Sequence, residues 1–364
     1  MILNMTKSMS ILSKYRTNIS EYLKKFLDEE KQALKKISLD DDAFETLKNF
    51  VVRGKMARAN LFILTYGILE PQKEKEIFEK VLLPLASTLE LIQAGLLIHD
   101  DIIDQDQQRR GQDSIWQYYS KQNQSSDQHY GESQAICLGN LCFFLADQLI
   151  LEAVNNLDSQ LNKKQLLDVQ QLINREISQV ILAEMLDSQL AMQDKLPSLE
   201  KILEMNIYKT ARYSFSLPLM LAGKLSNKSE NINLLSKIGE KIGLIFQIRD
   251  DYLGIFGDSE KTGKPILSDV KEGKKTIFYY YLAQNKSLTD QEKHLLNSCF
   301  AKKNIKQEQI LDIQNLFERY SLQTVDSLLD QLKLETQIMT NQLKNKKIQN
   351  LLMKILNFAS CRQC

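Results

Sequence analysis

The segment Ile98-His99-Asp100-Asp101-Ile102-Ile103-Asp104 closes an apolar run with three acids. Asp100 and Asp104 fall on one face of a helix, roughly 6 Å apart at Cβ, where like charges repel unless a cation bridges them. Paired hard oxygens suit Mg²⁺, which keeps several waters and takes one or two carboxylates together with phosphate oxygens. Arg109 and Arg110 follow closely. Guanidinium forks beside such a pair make sense when the ligand is a phosphate whose remaining oxygens need donors. A second pair, Asp250-Asp251, ends the apolar stretch Ile242 to Ile248 and is preceded by Gln247. Two such helices facing each other would make an apolar shaft with carboxylates at its mouth, as helix bundles do around metals. A diphosphate would sit at the mouth and a hydrocarbon in the shaft. Either pair alone is common on solvated helix ends; together with the arginines they are not. Arg53-Gly54-Lys55 with Arg58, Lys209-Thr210, Lys264-Pro265 and Lys274-Lys275-Thr276 add cationic groups beside Gly or Thr. Each of these alone reads as surface charge.

The elements that must position these residues are helices. From Leu82, apolar residues recur at Leu85, Ala86, Leu89, Ile92, Leu96 and Leu97, the stripe of a buried amphipathic helix. Similar stripes run through Leu161 to Leu190, Ile232 to Tyr252 and Ile310 to Leu352. Gln105 to Asp113 and Gln122 to Glu132 are polar connectors, and Ser38 to Asp42 supplies capping side chains before Phe44 and Leu47. Asp40-Asp41-Asp42 therefore reads as a helix start, not a metal site. With 13 Gly and 5 Pro in 364 residues, the turn punctuation of an all-β chain is missing. Lacking an internal repeat or a Pro/Gly/Ser-rich linker, the chain is expected to be one all-α domain over 1–364. Residues 1–20 and 356–364 are expected to fray.

Hydrophobic residues are 43% and charged residues 26%, enough to build a large core. A net charge of +1 leaves no overall field to hold nucleic acid, so any polyanion must meet a local cluster. No secretory signal or transmembrane helix is expected. The odd count of 5 Cys fits a reducing, cytoplasmic setting. Cys361 and Cys364 form a terminal C-x-x-C, but Arg362-Gln363 is not the aliphatic pair of a prenylation signal, and no further zinc partners lie nearby. Lys35-Lys36 and Lys344-Asn345-Lys346-Lys347 read as solvated helix faces.

Taken in order, Gly54-Lys55 with Arg58, Gln93, Asp100 to Asp104 with Arg109-Arg110, Lys209-Thr210, Phe246-Gln247 with Asp250-Asp251, Lys264, Asp269 and Gly273-Lys274 resemble the all-trans isoprenyl (polyprenyl) diphosphate synthases. The resemblance covers about Arg53 to Thr276. It implies the helical isoprenoid synthase bundle with a central apolar cavity and a head-to-tail prenyl transfer, in which an allylic diphosphate ionises and isopentenyl diphosphate attacks the carbocation. By similarity Asp100, Asp104 and Asp250 hold Mg²⁺, three ions per active site, on the allylic diphosphate. Arg109, Lys209 and Lys264 bind its remaining oxygens. Lys55, Arg58, Gln93 and Arg110 hold isopentenyl diphosphate, with Lys274 and Phe246 also at the substrate. Thr210 and Gln247 turn their oxygens to the cation, and Lys209, Thr210 and Gln247 form the catalytic set. The resemblance further implies a homodimer, with membrane contact only for product release.

The sequence departs from the family pattern at four positions. Gly254 stands where the second motif often has a third Asp, Ala59 where a Pro is usual, Met56 where Arg is common and Asn140 where an Asp is often seen. Losing the third acid puts tight binding of one ion in doubt more than activity. Gly95 and Leu96 lie about one turn before Asp100, roughly 6 to 8 Å down the shaft at ~1.5 Å per residue. In the family a bulky aromatic at this depth stops elongation early; none is present, so a product of C20 or longer is expected. Ile92 and Leu89 lie deeper, and Phe143 or Phe144 from another helix offers a later floor. The competing readings are a non-catalytic regulatory subunit of a heteromeric synthase and a class I terpene cyclase. A cyclase would need a different second metal motif and no second diphosphate pocket.

Overall fold

The structure is a computed structural model that describes residues 12–35, 42–122, 127–156, 163–226, 231–257, 266–302 and 304–361. The fold is all-α: among the described residues the strands are the two-residue pair β1 (Gln108–Arg109) and β2 (Gln112–Asp113), which form an antiparallel hairpin inside the expected polar connector. By its internal contacts the chain divides into two compact units, residues 1–171 with 221–229, and residues 172–220 with 230–364.

The first unit contains α1 (Arg16–Ala33), α2 (Asp42–Val52), α3 (Ala57–Leu69), the short α4 (Glu74–Ile77), a π-helical turn (Phe78–Leu82), α5 (Leu83–Ile103), α6 (Ile115–Gln122) and α7 (Gln128–Asn155). Helix α5 is its centre. Pro84 sits in its first turn, where a missing N–H costs nothing, and every residue from Leu83 to Gly95 is buried. A helix apolar on all sides must be surrounded, and α1, α3 and above all α7 do this. Glu74–Ile103 and Gln128–Asn155 are each long and apolar enough to cross a bilayer, but 89% of an apolar 18-residue window of the first lies within the protein's own core. Residues 16–20, expected to fray, belong to α1 instead, because Ile19, Leu23 and Leu27 form a stripe that is fully buried.

Helix α8 (Lys163–Met192) and α10 (Leu217–Leu225) run through the division between the units. The second unit continues with α9 (Leu199–Asn206), a long π-helical segment (Ile207–Ser216), α11 (Ile232–Phe256), α12 (Ser268–Glu272), α13 (Ile277–Ala283), α14 (Asp290–Cys299), α15 (Gln307–Phe317), a π turn (Glu318–Leu322), α16 (Gln323–Asn341) and α17 (Lys346–Ser360). The single stripe read from Ile310 to Leu352 is thus broken into several helices. Helix α11 is the centre here and packs on the π-helical segment, α16 and α17. The expected fraying from 356 is also corrected: Leu356 and Ala359 are buried on α17, whose strongly amphipathic face docks the chain end. The capping group before α2 and Cys364 lie outside the described residues, apart from Asp42, where α2 begins.

Candidate active site

In the first unit, α5 carries its acids into a tightly held turn. The backbone continues past Asp104 through Gln105 in the left-handed region, so Asp106 N–H reaches Asp101 O at 2.9 Å. Trp116, the single tryptophan, donates its indole N–H to Asp101 O at 3.0 Å and Asp106 O at 2.8 Å, which fixes this corner. Arg109, on the hairpin, donates to Asp101 Oδ1 at 2.5 Å, Asp100 Oδ2 at 3.0 Å and Asp106 Oδ2 at 3.3 Å. One guanidinium therefore offsets the repulsion that the acid-rich sequence demands be offset. Asp100 and Asp104 stay partly exposed, whereas Asp101 is fully buried and its Oδ2 has no hydrogen-bond partner among the described residues. Burial pushes the Asp101 carboxyl up to about 7, against the pull of Arg109.

A second charged group lies near Gly54. A Cβ at Gly54 would stand 3.3 Å from Arg110 Nη1, so the glycine admits the guanidinium, which also donates to Phe50 O at 3.3 Å. Arg110 and Gly111 both take positive φ at the hairpin turn, a conformation that costs Arg more than Gly. Arg58 and Arg110 both act electrostatically on Glu90, which is 5% exposed and accepts the Ala59 N–H at 3.2 Å. Burial nonetheless holds the Glu90 carboxyl above the usual range. Gln93, one turn further along α5, is buried with an Oε1 that has no hydrogen-bond partner among the described residues. Lys55 is exposed at the start of this segment. Two guanidiniums thus act on one buried acid beside Gln93.

The seam between α5 and α7 is made of glycine. A Cβ at Gly95 would lie 2.9 Å from Gly139 O and 3.1 Å from both Cys142 Cβ and Phe143 Cζ; one at Gly139 would overlap His99 Nε2 at 2.3 Å. Gly95 therefore lies against α7, with the tip of Phe143 filling the space that a side chain at 95 would take. Ile92 is buried and Leu96 partly exposed. Phe144, offered as a deeper floor, is 72% exposed and lines no interior of its unit.

In the second unit glycines again bring the working segment close. Cβ atoms at Gly239 and Gly243 would fall 2.6 Å from Ser216 Cα and 2.4 Å from Ala211 Cα, so α11 presses directly on the π-helical segment. That segment carries Lys209 and Thr210, both partly exposed; π bulges recur at functional sites. Lys209 donates to Glu184 at 2.8 Å and Asp187 at 2.6 Å on α8. Arg212 on the same segment holds Glu176 at 2.6 and 2.8 Å. At the end of α11, Gln247 Nε2 donates to Asp251 Oδ1 at 2.8 Å. Asp251 is buried and Asp250 exposed. Burial first, then the charge of Asp269, holds the Asp251 carboxyl well above the ordinary range. Phe246 packs against Phe215 and Phe358 with centroids 5.5 and 6.4 Å away. Lys274 pairs with Glu272 at 2.6 Å, while Lys275 donates to Leu190 O at 2.5 Å and to Gln193 O, at the end of α8. Lys264 lies outside the described residues.

Sequence reasoning passed over Glu90, Trp116, Glu184 and Asp187. Glu90 did carry a signal, a lone charge inside the apolar run from Leu82 to Leu97. The α8 acids carried none, since they look like any polar face. Among the described residues no three His, Cys, Asp or Glu side chains are gathered as a ready-made metal cage. The donors fit an ion that takes few protein oxygens and completes its shell from water and ligand phosphate.

Residues 42–317 match the sequence model of the polyprenyl synthetase family. The chain is 31% identical to a short chain isoprenyl diphosphate synthase of Methanocaldococcus jannaschii over 80% of its own length and 78% of that protein. It is 28% identical to the farnesyl pyrophosphate synthase of Candida albicans, over 85% of this chain and 86% of that one. Its fold superposes on a geranylgeranyl pyrophosphate synthase from Corynebacterium glutamicum, complexed with isoprenyl diphosphate and magnesium, with a TM-score of 0.86. That match has 26% identity and covers 96% of this chain and 99% of the other. The all-α protein described above is a member of the polyprenyl synthetase family, the trans-prenyltransferases.

Proposed function

We propose that the protein condenses isopentenyl diphosphate head-to-tail with an allylic diphosphate and releases an all-trans polyprenyl diphosphate of C20 or longer. The observation that carries this reading is the division of labour within the first unit. The partly exposed Asp100 and Asp104 are aligned on one helix end, while Arg58 and Arg110 act together on Glu90, one turn before Gln93. One group suits a metal-bound diphosphate and the other a diphosphate bound directly.

Asp100, Asp104 and Asp250 would hold magnesium, which when bound supplies positive charge to the departing diphosphate. Arg109, Lys209 and Lys264 would bind its remaining oxygens. Arg109 and Lys209 reach that task from ion pairs with acids, which orient both cations before substrate arrives. Arg58, Arg110, Lys55 and Gln93 would orient isopentenyl diphosphate, Gln93 by donating an amide N–H, since the diphosphate oxygens only accept. Thr210 and Gln247 would offer oxygens to the cationic carbon chain, beside the apolar rings of Phe246 and Phe215. Excluding water from that surrounding protects the cation from quenching. The product length rests on the lack of an aromatic residue at Leu96, since Gly95 lies against α7. Farnesyl and geranylgeranyl synthases both stand among the relatives, so it is the finer part of the proposal. A single functional domain acting as a homodimer completes it; Ile136, Phe144 and Leu151 leave an apolar stripe on α7 exposed, which supports the homodimer.

Incubating the purified chain with Mg²⁺, radiolabelled isopentenyl diphosphate and allylic primers of increasing length tests the reading. The expected result is a ladder that ends at one length of C20 or more. A cyclic hydrocarbon would select a terpene cyclase, and no incorporation from any primer would select a regulatory subunit.

A further inference from the structure

Helix α2 stops at Val52, and a helix end leaves its last carbonyls without intrahelical partners. The chain turns there, with Gly54 N–H donating to Val51 O at 3.1 Å. Two carbonyls of this turn are taken by a residue from much earlier in the chain. Arg16, the first residue of α1, donates Nε–H to Gly54 O at 3.1 Å and Nη2–H to Val52 O at 3.2 Å. A guanidinium fork at a helix C-terminus meets both the open carbonyls and the negative end of the helix dipole. Gly54 is therefore held between two arginines. Arg16 takes its carbonyl, and Arg110 Nη1 lies 3.3 Å from where its Cβ would be.

The residue before Arg16 holds the other side of the same turn. Tyr15 N–H donates to Asn60 Oδ1 at 2.7 Å, and Asn60 Nδ2 donates to Met56 O at 2.8 Å. Asn60 is fully buried on α3, a costly place for an amide unless both of its ends are satisfied, as they are here. Met56 is buried with φ 52°, a left-handed conformation that is unfavourable for methionine and that the Asn60 bond helps to hold. Between these anchored residues Lys55 is left exposed, and Arg58 follows in the first turn of α3. Tyr15 is itself fixed: its hydroxyl donates to Glu74 Oε1 at 2.5 Å, and its ring lies 5.5 Å from that of Phe78. Tyr15 and Arg16 both precede residues 42–317, the part of the chain that matches the family.

We infer that Arg16, seated by Tyr15 and Asn60, is a positioning residue for the isopentenyl diphosphate pocket, which makes the start of α1 a working part of that site. Its role is indirect: it fixes the backbone of residues 52–56, and that backbone sets where Lys55 and Arg58 stand. The inference rests on the proposed prenyl-transfer reading, in which those two cations hold isopentenyl diphosphate.

The test is a split between the two substrates. KM for isopentenyl diphosphate, KM for the allylic diphosphate, calorimetric binding of isopentenyl diphosphate and melting temperature are measured on the full chain. Wild type is compared with Arg16→Ala, Arg16→Lys and Tyr22→Phe. Tyr22 is the control for mere docking of α1, since it anchors the same helix elsewhere, to Glu152 on α7 at 2.5 Å. Arg16 is exposed, so its removal opens no cavity and the melting temperature is expected to hold. Arg16→Ala is expected to raise KM and the dissociation constant for isopentenyl diphosphate about 10-fold, short of the ~10²-fold that a misplacement of about 1 Å can cost. KM for the allylic diphosphate is expected to stay unchanged. Arg16→Lys, which can reach one carbonyl where the fork takes two, is expected to fall between Arg16→Ala and wild type. Tyr22→Phe is expected to lower the melting temperature and to move neither KM. An isopentenyl diphosphate KM unchanged in Arg16→Ala, a rise equal for both substrates, the same rise in Tyr22→Phe, or an Arg16→Lys no better than Arg16→Ala overturns the inference and leaves prenyl transfer standing. A wild type that neither binds nor incorporates isopentenyl diphosphate overturns both.

Discussion

The two acidic helix ends solve one electrostatic problem in different ways. At the end of α5 the acids are contiguous, and a single arginine, Arg109, engages three of them. At the end of α11 the acids come from separate stretches: Asp250 and Asp251 from the helix, Asp187 from α8 and Asp269 from α12. There Lys209 takes Asp187, and Gln247 takes Asp251. A contiguous cluster is concentrated on few residues and vulnerable at each. A dispersed one would spread the work, and is expected to tolerate a departure such as Gly254.

The sharpest way to break this contrast is to remove acids one at a time. Asp100→Ala and Asp104→Ala are expected to lower turnover by about 10²–10³-fold, the cost of losing a group aimed at developing charge, with melting temperature preserved. Asp250→Ala, at an end where acids from other segments act on the neighbouring Asp251, is expected to lose less, about 10–100-fold. Equal losses in steady-state assays of the three would show that dispersal confers no tolerance.

The glycine seams supply the next largest effect, this time on stability. Gly243→Val drives a side chain into Ala211, and Gly95→Phe drives one into Gly139 O and the Phe143 ring. Each is expected to destabilise by about 1–3 kcal/mol in denaturant titrations. Leu96→Phe, partly exposed and off that seam, is expected to shorten the product with little loss of stability. Products read by chromatography would place the floor elsewhere if their length did not change.

These contrasts also mark what the sequence could reveal. The all-α class, the apolar stripe of α5 and the acids that end α5 and α11 are all local: spacing of three and four on one stretch of chain encodes them. The pairing of Arg109 with Asp100 is nearly as local. What stayed hidden depends on packing across long separations. Nothing near Gly95 in the sequence says that Phe143 fills its space, and nothing near Lys209 points to Glu184 and Asp187. Gly254 reads as a loss until Asp269 is seen occupying its place. The two-residue hairpin also escaped notice, because its register depends on a positive-φ turn at Arg110 and Gly111 rather than on an alternating pattern.

A smaller effect separates the buried acid of the first end from its exposed neighbours. Burial raises the Asp101 carboxyl from 3.8 to about 7, so between those values the folded protein retains a proton that the unfolded chain has released. Asp101 therefore contributes stability that is complete below the lower value and is lost as pH rises through the upper one. Asp101→Asn removes that slope. Melting temperatures of wild type and variant should diverge on raising the pH from about 5 to about 8, with wild type losing more; parallel curves would mean that Asp101 stays ionised in the fold.

The central claim is that acidic helix ends act on diphosphate only through divalent cations. Its most direct test is incorporation of radiolabelled isopentenyl diphosphate before and after chelation. Incorporation should vanish on chelation and return on adding Mg²⁺, whereas undiminished carbon-carbon bond formation in the chelated enzyme would contradict the account.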